Sequence, residues 1–215
     1  AIAAINGPAQ TVVSGDEGAV EGVAAIFRSR GVKTKRLAVS HAFHSPRMQP
    51  MLEAFADVAR SIRYEAPRLL LASNLSGALC RDEVQQPDYW VRHVREAVRF
   101  GDGVRALAAA GARTFVELGP GAALVALVPA CLPDASAQVL ASLRPGRAES
   151  ATLLEAASEL WVEGAALSWS GLLADGGARV QLPTYPWQRE RYWRDVRAQT
   201  SAVDSGESWI YELCW

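Results

Sequence analysis

The clearest periodic pattern of apolar residues covers residues 45–62 and predicts an amphipathic helix. Ser45 is a good N-cap, and Pro46 follows it at the first helical position, where a missing N–H is tolerated. The apolar residues of this segment recur at intervals of three and four: Met48, Met51, Leu52, Phe55, Val58, Ala59 and Ile62. We therefore expect one face of this helix to be buried.

The first forty residues have the pattern of a small two-layer α/β unit. Apolar runs at residues 1–5 and 10–14 predict two strands joined by a turn. A helix is predicted to begin after Asp16 and to end at Gly31, because these residues are typical of helix starts and stops. Residues 32–39 alternate loosely between apolar and polar and predict a third strand.

The middle of the chain predicts alternating strands and helices. The continuous apolar run at residues 69–73 is typical of a buried parallel strand. One long helix is expected over residues 89–110, before Gly111. A strand at 113–117 is predicted to pass through a Gly-Pro-Gly turn into a helix at 122–128.

The last third of the chain changes in character. Residues 150–167 predict an amphipathic helix, and residues 179–182 a short strand. Residues 183–193 combine aromatics, prolines and arginines, which predicts an extended strap laid over a surface. Residues 197–207 are small and polar, as in a linker.

Composition excludes several classes of function. The chain has 215 residues, of which 50% are hydrophobic and 21% charged, and its net charge is -1. No basic run suits nucleic acid or a membrane surface, and no apolar run reaches the about 18 residues of a membrane helix. The three cysteines form no CxxC pair, so we expect neither disulfides nor a metal site, and a cytoplasmic location.

Two of the three histidines lie in the sequence His41-Ala42-Phe43-His44. His44 directly precedes the predicted N-cap, and the partial positive charge of a helix start favours a neutral imidazole there. Such a ring is a reasonable general base for a hydroxyl nucleophile. The simpler alternative, which the spacing alone favours, is a turn residue with one local hydrogen bond. His93 is expected to be a solvated or half-buried helix residue.

The nucleophile for such a base is not found in the chain. No GxSxG sequence occurs in the 215 residues. Ser14 and Ser76 lie in predicted turns, and neither has the flanking glycines of a nucleophile elbow. The residues by themselves therefore predict only half of a hydrolase-like site.

Several motifs, taken in order, resemble the acyltransferase domain of modular type I polyketide synthases. They are NGP at 6–8, VVSG at 12–15, HAFHSP at 41–46, SNLSG at 73–77, YWVR at 89–92, VRF at 98–100 and ELGPG at 117–121. The strap, with PTYPWQ at 183–188 and RYW at 191–193, resembles the linker that follows this domain. The resemblance covers nearly the whole chain, to about residue 195.

The resemblance implies an α/β fold, in which a ferredoxin-like small subdomain is inserted into an α/β-hydrolase-like large one. Residues 1–39 would be part of the small subdomain, and residues 40–143 the C-terminal part of the large one. Residues 144–195 would form the post-acyltransferase linker, with its helix and extended strap. Residues 196–215 would be an inter-domain linker, ending either in the first strand of a ketoreductase region or in a disordered tail.

The resemblance also implies an activity. In the family, a serine in a GHSxG elbow takes a malonyl unit from malonyl-CoA, and the phosphopantetheine thiol of an acyl carrier protein then takes it from the serine. His44 matches the histidine that deprotonates this serine. The serine and the carboxylate-binding arginine are expected upstream of residue 1, so this chain alone is expected to be inactive. No cofactor is expected on the chain itself, since phosphopantetheine is carried by the partner.

The resemblance assigns further residues near His44. His41, Ala42 and Phe43 match positions that correlate with the choice of extender unit, and this sequence resembles the malonyl type. Phe43 is bulky enough to fill the space of an α-methyl group, and one methylene is worth about 1–3 kcal/mol in a pocket. His93 falls near the position whose main-chain carbonyl orients the catalytic histidine.

Alternatives to a malonyl-selective enzyme stay open. One is an acyltransferase that also tolerates methylmalonyl. Another is a non-catalytic docking fragment, whose strap residues Tyr185, Trp187, Tyr192 and Trp193 anchor the acyltransferase to an adjacent ketosynthase. The expected partners are malonyl-CoA, an acyl carrier protein, that ketosynthase and the N-terminal part of the acyltransferase.

Overall fold

The computed structural model describes residues 1–134, 136–172 and 180–192. The chain forms two compact units, residues 1–167 and 168–215. In chain order, the elements are β1 (Ile2–Gly7), β2 (Gln10–Val13), α1 (Glu17–Ser29), a 3₁₀-helix (Pro46–Met51), α2 (Leu52–Ser61), β3 (Leu71–Ala72), β4 (Leu79–Cys80), a second 3₁₀-helix (Glu83–Gln85), α3 (Pro87–Arg95), α4 (Phe100–Ala109), β5 (Thr114–Glu117), α5 (Val128–Cys131), β6 (Gln138–Ala141), α6 (Glu149–Val162) and α7 (Trp169–Leu172).

The first unit begins with the predicted hairpin. Strands β1 and β2 pair antiparallel, as the turn residues between them indicate. The other edge of β1 is occupied by Val98, whose N–H donates to the Ala3 carbonyl and whose carbonyl accepts from Ile5 N–H, both at 2.8 Å. This bridge ties the hairpin to the segment after α3, where the candidate site lies.

The expected third strand at residues 32–39 is wrong. The segment has no regular secondary structure, and most of its residues are exposed. Among the described residues no strand pairs with it, and an alternating pattern forms a strand only when a neighbour supplies hydrogen bonds. Helix α1, which precedes it, has no buried residue.

The expected long helix at residues 89–110 is two helices, α3 and α4, separated by residues 96–99. Val98 leaves the helical path to pair with β1, and Arg99 N–H donates to the Asn74 carbonyl at 2.8 Å. These backbone hydrogen bonds outweigh the helix propensity of residues 96–99. Helix propensities of ordinary residues differ by no more than about 0.7 kcal/mol per residue. Because of this break, the carbonyl of Glu96 lies beyond the hydrogen-bonded turns of α3.

The expected buried parallel strand at residues 69–73 is also wrong. Only Leu71–Ala72 is a strand, and it pairs antiparallel with Leu79–Cys80. Leu69 is 83% exposed. The chain reverses between the two strands, and Ser73 N–H donates to the Ala78 carbonyl at 2.8 Å.

The strand at 113–117 is confirmed as β5, and it pairs in parallel with β6, which the sequence pattern did not indicate. The helix expected at 122–128 is a series of turns, and the helix itself is Val128–Cys131. The Glu117 carboxylate shapes these turns, because it accepts hydrogen bonds from three successive N–H groups. The donors are Ala123, Leu124 and Val125.

The helix expected at 45–62 forms as a 3₁₀-helix followed by α2, and Met48, Ala56 and Ala59 are its buried residues. Two small clusters form most of the remaining core. One contains Leu75, Val84 and Tyr89, and the other contains Val104, Val128 and Cys131.

The helix expected at 150–167 is confirmed as α6, although it ends earlier, at Val162. Residues 180–192 have no helix or strand, so the strand expected at 179–182 does not form at its described positions. Trp193 and the segment 196–215 lie outside the described residues. In the described part of the chain, no helix is long and apolar enough to cross a membrane.

Candidate active site

The backbone of His44 is in the left-handed region, with φ of 59°. It is the only non-glycine residue with positive φ among those described. This conformation costs an L-residue about 1–2 kcal/mol, so it persists only where its surroundings fix it. Here the N–H of His44 donates to the Val94 carbonyl at 3.0 Å, which anchors the residue to α3.

The side chain of Ser45 fixes the turn around His44 from the other side. It is fully buried, and its Oγ donates to the Ala42 carbonyl at 2.6 Å. The same oxygen accepts from the N–H of Arg47 at 3.2 Å, as expected of an N-cap. The predicted N-cap is confirmed, although the element that it caps is a 3₁₀-helix.

The imidazole of His44 is oriented by a carbonyl. Its Nδ1 lies 2.8 Å from the Glu96 oxygen. Because a carbonyl only accepts, Nδ1 must carry the proton, which leaves Nε2 of the neutral ring with a free lone pair. In the described part of the chain, Nε2 has no hydrogen-bond partner. The ring is half-buried and ready to accept a proton at this atom.

The carbonyl that orients His44 belongs to Glu96, three residues beyond His93, near which the family resemblance had placed it. Glu96 lies just beyond Arg95, the last helical residue of α3. Since Glu96 is the C-cap, its carbonyl is free to accept from outside the helix.

His93 contacts His44 through its side chain instead. The two rings meet edge to face, with centroids 5.8 Å apart and planes at 84°. The His93 ring also stacks on Tyr89 at 6.0 Å. Burial, and then the nearby His44, lower the pKa of His93, so this ring is neutral at neutral pH.

Behind these rings lies a buried polar contact. The hydroxyl of Tyr89 accepts from Ser73 Oγ at 3.2 Å, and both residues are buried. Ser73 Oγ in turn accepts from the N–H groups of Leu75 and Ser76. Two motifs that are far apart in the sequence, SNLSG and YWVR, thus meet on the inner side of the His44 site.

The side chain of Glu96 is also fixed. Arg92 Nε lies 2.8 Å from Oε1, and Arg92 Nη2 lies 3.2 Å from Oε2. This pairing with Arg92 lowers the pKa of the Glu96 carboxyl. A bidentate pair restrains geometry more than a single contact does, although its exposure limits its contribution to stability.

The other motif residues lie on the outer side of His44. Phe43 is 49% exposed, and its ring centroid is 6.4 Å from that of His44 and 6.3 Å from that of His41. His41 Nδ1 is 2.9 Å from Ser40 Oγ. His41 and Ala42 line a cavity of about 340 Å³, and Phe43 does not.

The same cavity is lined by an ion pair between Asp16 and Arg47. Asp16 is the predicted N-cap of α1, but its carboxylate makes no capping hydrogen bond. It binds Arg47 instead, which connects the start of α1 to the 3₁₀-helix of the site.

Sequence reasoning missed the backbone groups of the site. The carbonyls of Val94 and Glu96, which hold His44, carry no signature in their side chains. The Tyr89–Ser73 contact was also missed, although both residues belong to motifs. A break in the long predicted helix, at the VRF motif, is the signal that could have located the carbonyls.

A model of the acyl transferase domain family matches residues 1–166. Polyketide synthase GfsA of Streptomyces halstedii is 46% identical over 209 residues, which are 95% of this chain and 3% of that protein. The chain therefore spans only a small part of the curated relatives that it matches.

Solved structures give the same relationship. The acyltransferase domain from the second module of the salinomycin polyketide synthase has a TM-score of 0.77 and 43% identity. The match covers 87% of this chain and 44% of that one. The malonyl-CoA:acyl carrier protein transacylase of Xanthomonas oryzae pv. oryzae has a TM-score of 0.60 and 26% identity, over 70% of this chain and 48% of that one.

These neighbours establish the α/β class of the fold, while the division into ferredoxin-like and hydrolase-like subdomains stays a prediction. The family model covers the segment that holds His44, Ser45, His93 and Glu96. The chain belongs to the acyl transferase domain family and represents part of the acyltransferase domain of a modular type I polyketide synthase.

Proposed function

We propose that this chain supplies the general base of an acyltransferase that moves a malonyl unit from malonyl-CoA to an acyl carrier protein. The observation that carries the proposal is the contact between His44 Nδ1 and the Glu96 carbonyl at 2.8 Å, which places the lone pair of the neutral ring on Nε2. The likeness to a malonyl-CoA:acyl carrier protein transacylase supports the choice of substrates.

The proposed chemistry uses Nε2 of His44 twice. In the first half-reaction, Nε2 takes the proton of a serine hydroxyl while the oxygen attacks the thioester carbonyl. The C–S bond then breaks, and the CoA thiolate leaves with the proton from the imidazolium. In the second half-reaction, Nε2 takes the proton of the phosphopantetheine thiol. The sulfur attacks the carbonyl carbon of the serine ester, and the bond from that carbon to the serine oxygen breaks. The serine oxygen recovers the proton from the imidazolium.

The serine of this mechanism is proposed to lie outside these 215 residues, which contain no GxSxG sequence. The arginine that would bind the malonyl carboxylate is proposed to lie there as well. We therefore expect the chain by itself to take up no acyl group from malonyl-CoA. Phosphopantetheine belongs to the carrier protein in this scheme, and we propose no cofactor on this chain.

Selectivity for malonyl is proposed to rest on Phe43, whose ring lies beside that of His44. An α-methyl group on the acyl unit would need space that Phe43 fills and that a smaller residue would leave open. Since one methylene changes binding by about 1–3 kcal/mol, Phe43 gives a preference rather than an absolute block. His41 and Ala42 are proposed to shape the same region, because they line the neighbouring cavity.

The function is tested on the intact synthase with malonyl-CoA and methylmalonyl-CoA offered in competition. Mass spectrometry of the acyltransferase serine and of the carrier protein identifies the acyl group on each. We expect malonyl on both. An unmodified serine contradicts the acyltransferase function, and a predominance of methylmalonyl contradicts the role of Phe43. The exposed residue Glu53, on α2, provides a control variant, Glu53→Gln, which should load like the wild type.

A second candidate function is anchoring to a ketosynthase through the strap. It is favoured by Tyr185 and Trp187, whose rings pair at 5.1 Å and which are both well exposed. If the strap anchors the acyltransferase to the ketosynthase, the double variant Tyr185→Ser and Trp187→Ser should make the connection between these two domains more susceptible to proteolysis. Unchanged proteolysis contradicts this function and leaves the role of His44 unaffected.

A further inference from the structure

The imidazole of His44 is held by a hydrogen bond at only one of its atoms, Nδ1, which contacts the Glu96 carbonyl. The torsion that turns an imidazole about its Cβ–Cγ bond has a broad minimum, so a single hydrogen bond tolerates some rotation of the ring. Such a rotation displaces Nε2, the atom that takes the proton in the proposed mechanism. A second contact on the ring is needed if Nε2 is to keep one direction.

The ring of His93 supplies a second contact. It meets the His44 ring edge to face, with centroids 5.8 Å apart and planes at 84°. Edge-to-face is one of the preferred arrangements of aromatic pairs, and it is lost when either ring turns. The contact therefore opposes the rotation that the hydrogen bond to Glu96 leaves free.

Two aromatic neighbours on α3 hold the His93 ring in place. Tyr89 stacks on it with planes at 16° and centroids 6.0 Å apart, and Trp90 meets it at 70° with centroids 6.4 Å apart. The Tyr89 hydroxyl is fixed in turn by Ser73 Oγ, which donates to it at 3.2 Å. Trp90 Nε1 donates to the Val84 carbonyl at 2.9 Å. The ring that contacts His44 is thus supported from behind by rings that are themselves restrained.

The contacts of His93 are those of an aromatic ring rather than of a hydrogen-bonding group. Among the described residues, neither of its ring nitrogens has a hydrogen-bond partner. Its pKa is lowered by burial and then by His44, so the ring is neutral at neutral pH. A neutral neighbour suits His44, because a charged one would oppose the positive charge that His44 acquires with the proton.

We propose that the side chain of His93 is a positioning residue, whose ring holds the imidazole of His44 so that Nε2 keeps one direction. The inference rests on the proposed function, in which Nε2 takes and returns the proton. It differs from the role that the family resemblance implied for position 93, which belongs to a main-chain carbonyl and not to a side chain.

The position of the base matters because acyl transfer needs it aligned with the reacting atoms. A misplacement of about 1 Å can cost about 10²-fold in rate. A residue that only orients the base changes the rate of the chemical step and leaves substrate binding as it was. A proton relay from His44 to His93 is a different role, and it would need a hydrogen bond between the two rings. No such hydrogen bond joins them in the described structure.

The test compares His93→Phe with His93→Gln in the intact synthase. Phenylalanine keeps an uncharged aromatic ring at position 93, whereas glutamine loses the ring. Single-turnover acylation of the serine, over a range of malonyl-CoA concentrations, gives the maximal rate and the half-saturating concentration separately. We expect His93→Gln to lower the maximal rate about tenfold at an unchanged half-saturating concentration. His93→Phe should keep most of the wild-type rate.

A second variant without an aromatic ring, His93→Leu, should behave like His93→Gln. It provides the comparison with His93→Phe if the polar glutamine prevents folding. Transfer from the serine to the carrier protein gives an independent reading, because Nε2 of His44 acts in both half-reactions. The ring-free variants should slow both by a similar factor, and a loss confined to one half-reaction contradicts the proposal.

Val91 provides a matched control on the same helix. It lies two residues before His93 and is half-buried, as His93 is. Residues two apart on a helix do not share a face, so Val91→Ala loosens the packing of α3 without removing the ring beside His44. It should lower the free energy of unfolding and leave the rate of acylation unchanged. An equal loss of rate in Val91→Ala and His93→Gln would mean that any loosening of α3 slows the reaction, and would overturn the proposal.

The remaining outcomes also decide the question. A wild-type rate in His93→Gln overturns the proposal. An equal loss in His93→Phe overturns it too, because the imidazole nitrogens would then be required, and a change in half-saturation alone would assign His93 to substrate binding. The variant His44→Ala separates this inference from the proposed function. Wild-type loading by His44→Ala refutes both, whereas an inactive His44→Ala beside a fully active His93→Gln refutes only the role of His93.

Discussion

Nδ1 of His44 and the carbonyl oxygen of Glu96 lie 2.8 Å apart, although the two residues are 52 positions apart in the sequence. The contact joins the turn before the 3₁₀-helix to the end of α3. It fixes both the orientation and the tautomer of the imidazole, since the carbonyl requires a proton on Nδ1. The reactivity of Nε2 therefore depends on where α3 ends.

Exchange of the residues beside His44 should change the choice of acyl group. In the double variant His41→Tyr and Phe43→Ser, the smaller side chain at position 43 leaves space for an α-methyl group. We expect the ratio of malonyl to methylmalonyl loading to fall about 10-fold or more. Competition between the two CoA esters, read by mass spectrometry, measures this ratio. An unaltered ratio would mean that Phe43 does not determine selectivity.

The left-handed backbone of His44 predicts an unusual order of stability among its variants. Because glycine adopts φ of 59° without strain, His44→Gly should be more stable than His44→Ala by about 1 kcal/mol. Both variants lose the hydrogen bond to Glu96, so the comparison isolates the backbone effect. Urea denaturation of the acyltransferase domain measures the difference. Equal stability, or a more stable alanine variant, would contradict the assigned conformation.

Gly77 should tolerate no side chain. Its φ is 72°, and an added Cβ would overlap the side chain of Asp102 on α4. Gly31 has a similar φ of 77° but open space around it. Both alanine variants suffer the same backbone strain, so Gly77→Ala should be less stable than Gly31→Ala by about 1–3 kcal/mol, the cost of overpacking. Denaturation curves of the two variants provide the comparison, and equal losses would refute the close packing at Gly77.

The lowered pKa of His93 predicts a loss of stability in acid. An unfolded chain takes up a proton on this histidine near its ordinary value of about 6.5, whereas the folded protein resists it until a lower pH. The contribution of His93 to the free energy of unfolding is therefore complete above about pH 6.5 and decreases as the pH falls below this unfolded-state pKa. His93→Gln removes this dependence. The free energy of unfolding, measured for both proteins from neutral to mildly acidic pH, should fall more steeply for the wild type. Parallel curves would contradict this.

The sequence predicted the elements whose patterns are local. The hairpin β1–β2, the N-cap at Ser45 and helix α6 all depend on neighbouring residues, and all form. The family followed from the order of short motifs, and the α/β class from both that order and the predicted succession of strands and helices.

The errors arise where distant parts of the chain decide the structure. Val98 leaves a helical path because β1 offers it hydrogen bonds, and residues 32–39 form no strand for lack of a paired neighbour within the described structure. The resemblance pointed to the carbonyl of His93, whereas His44 binds that of Glu96. The position of the orienting carbonyl depends on the end of α3, which the pairing of Val98 sets.

The central claim is that Nε2 of His44 is the base of acyl transfer. The most direct measurement is the single-turnover rate of serine acylation by malonyl-CoA in the intact synthase, for the wild type and for His44→Ala. Loss of a general base that serves a hydroxyl nucleophile should slow this step by at least about 10²–10⁴-fold. The variant should remain folded, as judged by its circular dichroism. A folded His44→Ala synthase that loads malonyl at the wild-type rate would contradict the claim.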